Sequence, residues 1–236
     1  MTTIHNREAF LAHLHKQLGT SPEDTEVHPF VPKNDLPHTQ LADKTTEELI
    51  EICEEKLKDI HTSLVRTTSE NLNEVLTGLI KDFEGGNILL PTDARFDNGT
   101  QAFLEETYGE AVSVWEPGVE NRESNIKKAE QANIAIAHAE FLLAESGSIV
   151  VETTAGQGRS LHFLPKHYIS LVPKSKIVPR STQAADFYAN KITNGEETGS
   201  AIHFISGPSN SGDIEMQLVV GLHGPLKVIY VILDDL

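Results

Sequence analysis

Residues 62–91 read TSLVRTTSENLNEVLTGLIKDFEGGNILLP. The run Thr62–Thr67 is short and β-branched, as a strand is. Leu72, Val75, Leu76, Leu79, Ile80 and Phe83 then form one helical stripe, Gly85-Gly86 stops the helix, and Asn87–Pro91 is a second buried strand. A strand, an amphipathic helix of this length and another strand imply a right-handed βαβ crossover within a parallel sheet. The pattern continues C-terminally through a helix at about Asn98–Tyr108, strand Val112–Trp115, a helix at about Glu120–Ala129 and strand Ile134–Ala137. These residues predict an α/β fold with a Rossmann-like, mostly parallel sheet and flanking helices.

Further along, Phe141–Glu145 and Ser148–Glu152 predict a hairpin about Ser146-Gly147, and Tyr168–Val172 a buried strand. A helix near Ser181–Ile192, strand Ala201–Ser206, a helix near Asp213–Val220 and strand Lys227–Leu233 complete the chain. Both halves are expected to share one sheet, because neither has the strands for a separate core. On the N-terminal side, Thr45 and Glu48 make a capping box before a helix whose apolar face holds Leu49, Ile50, Cys53, Leu57 and Ile60. Before it, Phe10, Leu11, Leu14 and Leu18 recur at helical spacing ahead of Gly19, and residues 20–43 carry Pro22, Pro29, Pro32 and Pro37. The expected organisation is an N-terminal helix on a proline-rich arm (1–43), followed by one α/β domain (44–236).

The chain has 236 residues, with 19 Lys+Arg against 35 Asp+Glu and a formal net charge of −16. Such a surplus of acid repels phosphate backbones and anionic lipid, which argues against nucleic-acid and membrane-surface binding. The single cysteine, Cys53, excludes an internal disulfide and any all-cysteine iron–sulfur site. It reads as a small core hydrophobe. Met1–Phe10 lacks the apolar segment of a signal peptide and the longest apolar run, Val228–Leu233, is too short to span a bilayer, so a cytoplasmic location is expected. His138-Ala139-Glu140 has the HxE of zinc deaminases without the PCxxC partner, and no metal site is expected.

Four stretches carry candidate chemistry. In Thr153–Ser160, closely spaced Gly156 and Gly158 would let backbone N–H groups, with Thr154 and Arg159, converge on an anion; a purely structural turn is the alternative. Ser206, Gly207, Ser209 and Asn210 lie between a strand and an expected helix, where a phosphate or carboxylate fits and ordinary capping fits too. His223, set among Gly221, Gly224 and Pro225, is either an acid/base group or part of a C-cap. Glu145 ends a strand before a tight turn, as a nucleophile or a solvated loop residue does.

Taken together, Ala144–Glu152, Ala155–Arg159, Leu161–Pro165, Ile177–Arg180, Ile205–Ser209 with Asp213–Glu215, and Gly221–Pro225 resemble the lactate utilization protein C family, whose defining unit is the LUD domain. The resemblance implies a NagB/RpiA/CoA-transferase-like fold and a part in oxidising L-lactate to pyruvate beside two iron–sulfur partner proteins. That division fits a chain with one cysteine: no cofactor is expected to be tightly bound here, and the clusters are expected in the partners. The CoA transferases of the wider superfamily use a Glu before a glycine-containing turn, and Glu145-Ser146-Gly147 is similar. Glu145 and His223 are therefore the catalytic candidates, with Thr154, Gly156, Gly158, Arg159, Ser206, Gly207, Ser209 and Asn210 as binding residues for a small carboxylate or nucleotide-like ligand. Many related domains carry an Arg near Asn210 that is missing here, which leaves Arg159 as the expected anion contact. The function implied is that of a subunit of a lactate-oxidising system. The alternatives are a non-catalytic assembly module, whose acidic surface would steer docking, and a CoA- or ATP-dependent transferase or ligase. A homo-oligomer is compatible with the amphipathic first helix.

Overall fold

The computed structural model describes residues 6–21, 31–96, 99–214 and 217–236. The chain divides into two compact units, Met1–Asp35 and Leu36–Leu236. In the first, α1 (Arg7–Leu18) ends on Gly19, whose φ of 66° lets its N–H turn back to the His15 carbonyl. Residues 22–30 of the expected arm, including Pro22 and Pro29, lie outside the described residues. Pro37 is not in an extended arm: it belongs to the short helix α2 (Leu36–Thr39), where its fixed φ suits a first turn.

In the second unit, α3 (Thr46–Asp59) starts on the expected capping box, with Thr45 N donating to Glu48 at 2.8 Å and Glu48 N to Thr45 Oγ1 at 3.3 Å. The chain then runs through β1 (Ser63–Thr67), α4 (Leu72–Asp82), β2 (Ile88–Leu90), α5 (Thr100–Tyr108), β3 (Val112–Val114), α6 (Arg122–Gln131) and β4 (Ile134–His138). It continues with β5 (Phe141–Leu143), β6 (Ser148–Thr153), α7 (Arg159–Phe163), β7 (His167–Pro173), β8 (Ile177–Val178), α8 (Ser181–Thr193), β9 (Ala201–Ile205), β10 (Asn210–Ile214), β11 (Gln217–Val220) and β12 (Lys227–Leu233).

Six strands form a sheet in the order β1-β12-β7-β4-β2-β3, every pair parallel. One face packs Ile134, Ile136, Ile169 and Val231 against Leu72, Leu76 and Ile80 of α4 and Leu104 of α5. The other packs Tyr168, Val228, Tyr230 and Ile232 against α3, Leu161 and the inner residues Leu142, Ile149 and Val151 of a second sheet. That second sheet has the order β8-β5-β6-β9, and its outer face takes Ala184 and Tyr188 of α8. Cys53 is fully buried in the core on α3, and burial, with Glu54 nearby, pushes its thiol up to about 12, so it is the inert hydrophobe expected.

Three expectations are corrected. The two halves share the parallel sheet only through β7 and β12; β5, β6, β8 and β9 pair among themselves, because the β5–β6 hairpin turns back antiparallel and offers β9 and β8 its edges. The expected helix at Asp213–Val220 is not there: its described residues, 213–214 and 217–220, are strands of a hairpin in which Asn210 pairs with Val220 and Ser211 with Val219. Leu161–Pro165 does not read as a helix in the sequence, yet its first three residues belong to a short helix, Arg159–Phe163.

Candidate functional site

A cavity of about 300 Å³ opens at the amino ends of β7 and β12. Its floor is His162 from α7, Tyr168 from the start of β7 and Val228 from the start of β12, each at most 2% exposed. Residues 204–210, running off β9, form one wall, and residues 223–225 close it from above. Four of the expected binding residues, Ser206, Gly207, Ser209 and Asn210, thus line one cavity with His223. Their setting differs from the expectation. They precede a strand, so no helix N-terminus points at them, and because β9 pairs antiparallel in the smaller sheet they meet the amino edge of the parallel sheet.

Local packing dictates this loop. Gly207 has φ 67°, and a Cβ there would collide with the Ile60 carbonyl and press on Thr62 Oγ1. Its N–H donates to Tyr230 Oη at 3.4 Å. Ser209 ties the two walls together: its N–H donates to the Pro225 carbonyl at 3.0 Å, its carbonyl accepts from Gly221 N at 2.7 Å, and its Oγ accepts from His223 N at 3.3 Å. Ser206 ends a hydroxyl chain in which Ser146 Oγ donates to Ser148 Oγ at 2.9 Å and Ser148 Oγ lies 2.5 Å from Ser206 Oγ. With Ser148 accepting from Ser146, donation of its own proton to Ser206 leaves the Ser206 hydroxyl proton for the cavity.

His162 is the group that sequence reasoning missed. Its Nδ1 lies 2.9 Å from Tyr168 Oη, and its Nε2 is buried without a hydrogen-bond partner among the described residues. Complete burial, with the His203 ring nearby, lowers its pKa to about 3, so it is a neutral imidazole at ordinary pH. A buried polar atom left unpaired costs roughly 1–3 kcal/mol, and a ligand in the cavity is one way to recover it. The pairing of His162 with Tyr168 spans the Pro165 turn at a six-residue spacing that no helix or strand period reveals.

The remaining candidates lie elsewhere. In the Thr154–Gly158 turn three of the N–H groups are used internally: Thr154 N and Gln157 N bond the reciprocal carbonyls at 3.0 and 3.3 Å, and Gly156 N donates to Thr154 Oγ1 at 3.2 Å. A Cβ on Gly156 would collide with the Thr92 carbonyl, and one on Gly158 with the Trp115 ring, so both glycines serve close packing. Thr154 borders a separate surface groove of about 560 Å³ with Glu152 and Lys191. Arg159 is exposed and forms no ion pair among the described residues; its charge helps lower the pKa of His203, after burial, and it does not line the cavity. Glu145 caps α8: Oε1 accepts from Ser181 N at 2.8 Å and Oε2 from Arg180 Nε at 2.6 Å. Burial pushes the Glu145 carboxyl upward, but these bonds outweigh it and hold the pKa below the ordinary range, which suits a helix-capping carboxylate better than a reacting base.

Among the described residues no group of three or more His, Cys, Asp or Glu side chains could hold a metal ion, and no helix is long and apolar enough to cross a membrane.

Comparison with known proteins places this architecture. The LUD domain matches residues 50–233. Lactate utilization protein C of Geobacillus thermodenitrificans is 43% identical over 239 residues, covering 99% of this chain and 98% of that protein. Lactate utilization protein C of Bacillus subtilis is 40% identical over 237 residues, with the same coverage. A crystal structure of a DUF162 family protein from Deinococcus radiodurans superposes with a TM-score of 0.55 at 16% identity, over 81% of this chain and 100% of that one, a likeness of fold. With the domain spanning most of the chain and the relatives matching nearly all of it, this protein belongs to the LUD domain family.

Proposed function

We propose that this protein acts in lactate utilization as a subunit of a cytoplasmic L-lactate-oxidising system, working with iron–sulfur partner proteins, and that the cavity at the amino ends of β7 and β12 is its ligand site. The observation that carries the reading is the near full-length similarity to proteins named Lactate utilization protein C, at 40–43% identity in the two quoted. The chain's chemistry supports a shared task. Oxidising lactate to pyruvate removes two electrons and two protons. Histidine can accept a proton at neutral pH, and His223 stands at the rim with its main chain fixed by Ser209. The electrons need an acceptor, and the one cysteine is buried with its thiol pushed up, so it offers neither a thiolate nor a cluster ligand. Any iron–sulfur clusters of the system therefore belong to the partners.

The test is lactate-dependent reduction of an artificial acceptor by this protein, by two iron–sulfur partners, and by all three together. Activity confined to the three-component mixture is expected, and His223→Ala should lower it at least tenfold. Full activity from the partners alone would overturn the subunit reading in favour of an assembly or regulatory role.

A further inference from the structure

The lining of the cavity is selective. Among the described residues no Lys, Arg, Asp or Glu contributes to it, in a chain of net charge −16, so a bound carboxylate would meet no permanent cation in the described lining. Three of the backbone donors that could replace a cation are engaged within the protein: Gly207 N with Tyr230, Ser209 N with Pro225 and His223 N with Ser209. What the cavity offers instead is rings. His162, Phe163, Tyr168, Phe204 and His223 all border it. His162 stands edge-on to Tyr168, with ring centroids 5.5 Å apart and an interplanar angle of 77°, and Phe204 at the mouth is 50% exposed. Aromatic walls of this kind favour a flat partner, which stacks on one ring and meets others by its edge. A cavity of about 300 Å³ also exceeds the needs of a three-carbon acid and reaches the size at which sites enclose whole ring-bearing ligands.

From this combination we propose that the cavity takes a planar, uncharged ring with a hydrogen-bonding edge, and not the carboxylate of lactate. The ring enters past Phe204 and His223. Its polar edge meets His162 Nε2 at the floor, the buried atom that lacks a partner, and the Ser206 hydroxyl at the side. A neutral imidazole suits a neutral ligand, since it presents one donor or one acceptor and no charge. Quinones, isoalloxazines and purine nucleosides share this chemistry. The proposal rests on the assignment of this cavity as the ligand site and narrows its ligand class; lactate itself would then be bound outside the cavity, at the junction of the partners with this chain beside the rim residue His223.

Titration calorimetry of the full chain with menadione, lumiflavin, adenosine and L-lactate tests it, and the three ring compounds separate the possible sources. At least one ring should bind at least tenfold more tightly than lactate. Phe204→Ala, at a half-exposed position, should weaken it about fivefold, and His162→Phe, which keeps an aromatic ring and removes the polar edge, at least tenfold. Tighter binding of lactate than of every ring, no ring binding at millimolar concentration, or ring binding indifferent to both substitutions would overturn the proposal. The lactate assay separates this from the functional reading: a three-component mixture that still oxidises lactate, with no ring bound to this chain, removes the ring and keeps the subunit.

Discussion

At the carboxyl end of the parallel sheet Arg95 is bracketed by carboxylates, with Asp93 Oδ2 at 2.5 Å and Glu140 Oε1 at 2.9 Å; at the amino end His162 and Tyr168 face an open cavity with no charged residue in its lining among the described residues. The carboxyl end is where an open α/β sheet ordinarily binds its ligand, above all between strands whose outgoing connections diverge. Here those strands are β2 and β4, since β2 leads to β3 on one side and β4 next feeds β7 on the other. Asp93 and Arg95 follow β2, and Glu140 follows β4. The crevice is filled by its own residues: Arg95 is paired with both carboxylates, Thr92 N donates to the Gly156 carbonyl at 2.9 Å, and the Gly158 backbone lies against Trp115. Burial pushes the Asp93 carboxyl upward, yet its bonds to Arg95 outweigh that and hold it below its ordinary value. Charge and polarity therefore mean different things at the two ends. Charges paired inside the molecule build it, whereas an unpaired neutral atom beside a cavity marks where something else fits.

Arg95→Met should break this contrast most visibly. It would leave Asp93 and Glu140 partly buried without their cation, and losing one partner of such a cluster costs roughly 3–5 kcal/mol. With a third of the Arg95 side chain in solvent, the lower end applies. About 3 kcal/mol corresponds to a fall in Tm of about 6–12 °C for a domain of this size, readable by thermal denaturation. A fall under about 2 °C would mean that the cluster is not the keystone of the carboxyl end.

Gly156→Ala asks whether the neighbouring turn is a wall or an anion cradle. The added methyl meets the Thr92 carbonyl, a backbone atom that cannot swing away, so a loss of about 2–3 kcal/mol is expected. Inorganic phosphate should leave the melting temperature of the unmodified protein unchanged, because three of the turn's N–H groups are engaged. Stabilisation by phosphate that disappears in the variant would restore the cradle.

Much of the fold is legible in the sequence because it is local. The Leu72–Phe83 stripe, the Thr45–Glu48 box and the Gly19 stop each settle an element from neighbouring residues alone. Misreadings arise where the decision is tertiary. Residues 213–220 have apolar residues in an order that suits either element, and pairing of Asn210 and Ser211 with Val220 and Val219 selects the hairpin. Membership of the second sheet depends on which edge β9 finds. The same holds for the site. Ser206–Asn210 and His223 stand out by composition and do meet; Glu145, Gly156 and Arg159 stand out equally and serve a cap, a packing contact and the surface. His162 carries no local signal, since only the chain reversal at Pro165 brings its Nδ1 to Tyr168.

The smallest expected effect sharpens the amino end. His162 titrates near 6.5 when unfolded and at about 3 in the fold, because burial disfavours its charged form. Between those values the unfolded chain binds the extra proton, so stability is full above about pH 6.5 and falls as the pH drops toward 3. From pH 7 to pH 5 this single group removes about 2 kcal/mol. His138, lowered to about 4 chiefly by burial and then by Arg95, contributes in the same direction, as do the carboxylates held below their ordinary range. His162→Phe isolates the one contribution, because every other titrating group is common to both proteins. Urea midpoints at pH 7 and pH 5 should show the wild type losing about 2 kcal/mol more than the variant. Equal losses would mean that water reaches His162 and that the imidazole is solvated through the cavity; a larger loss in the wild type means that its Nε2 waits, dry and neutral, for a partner.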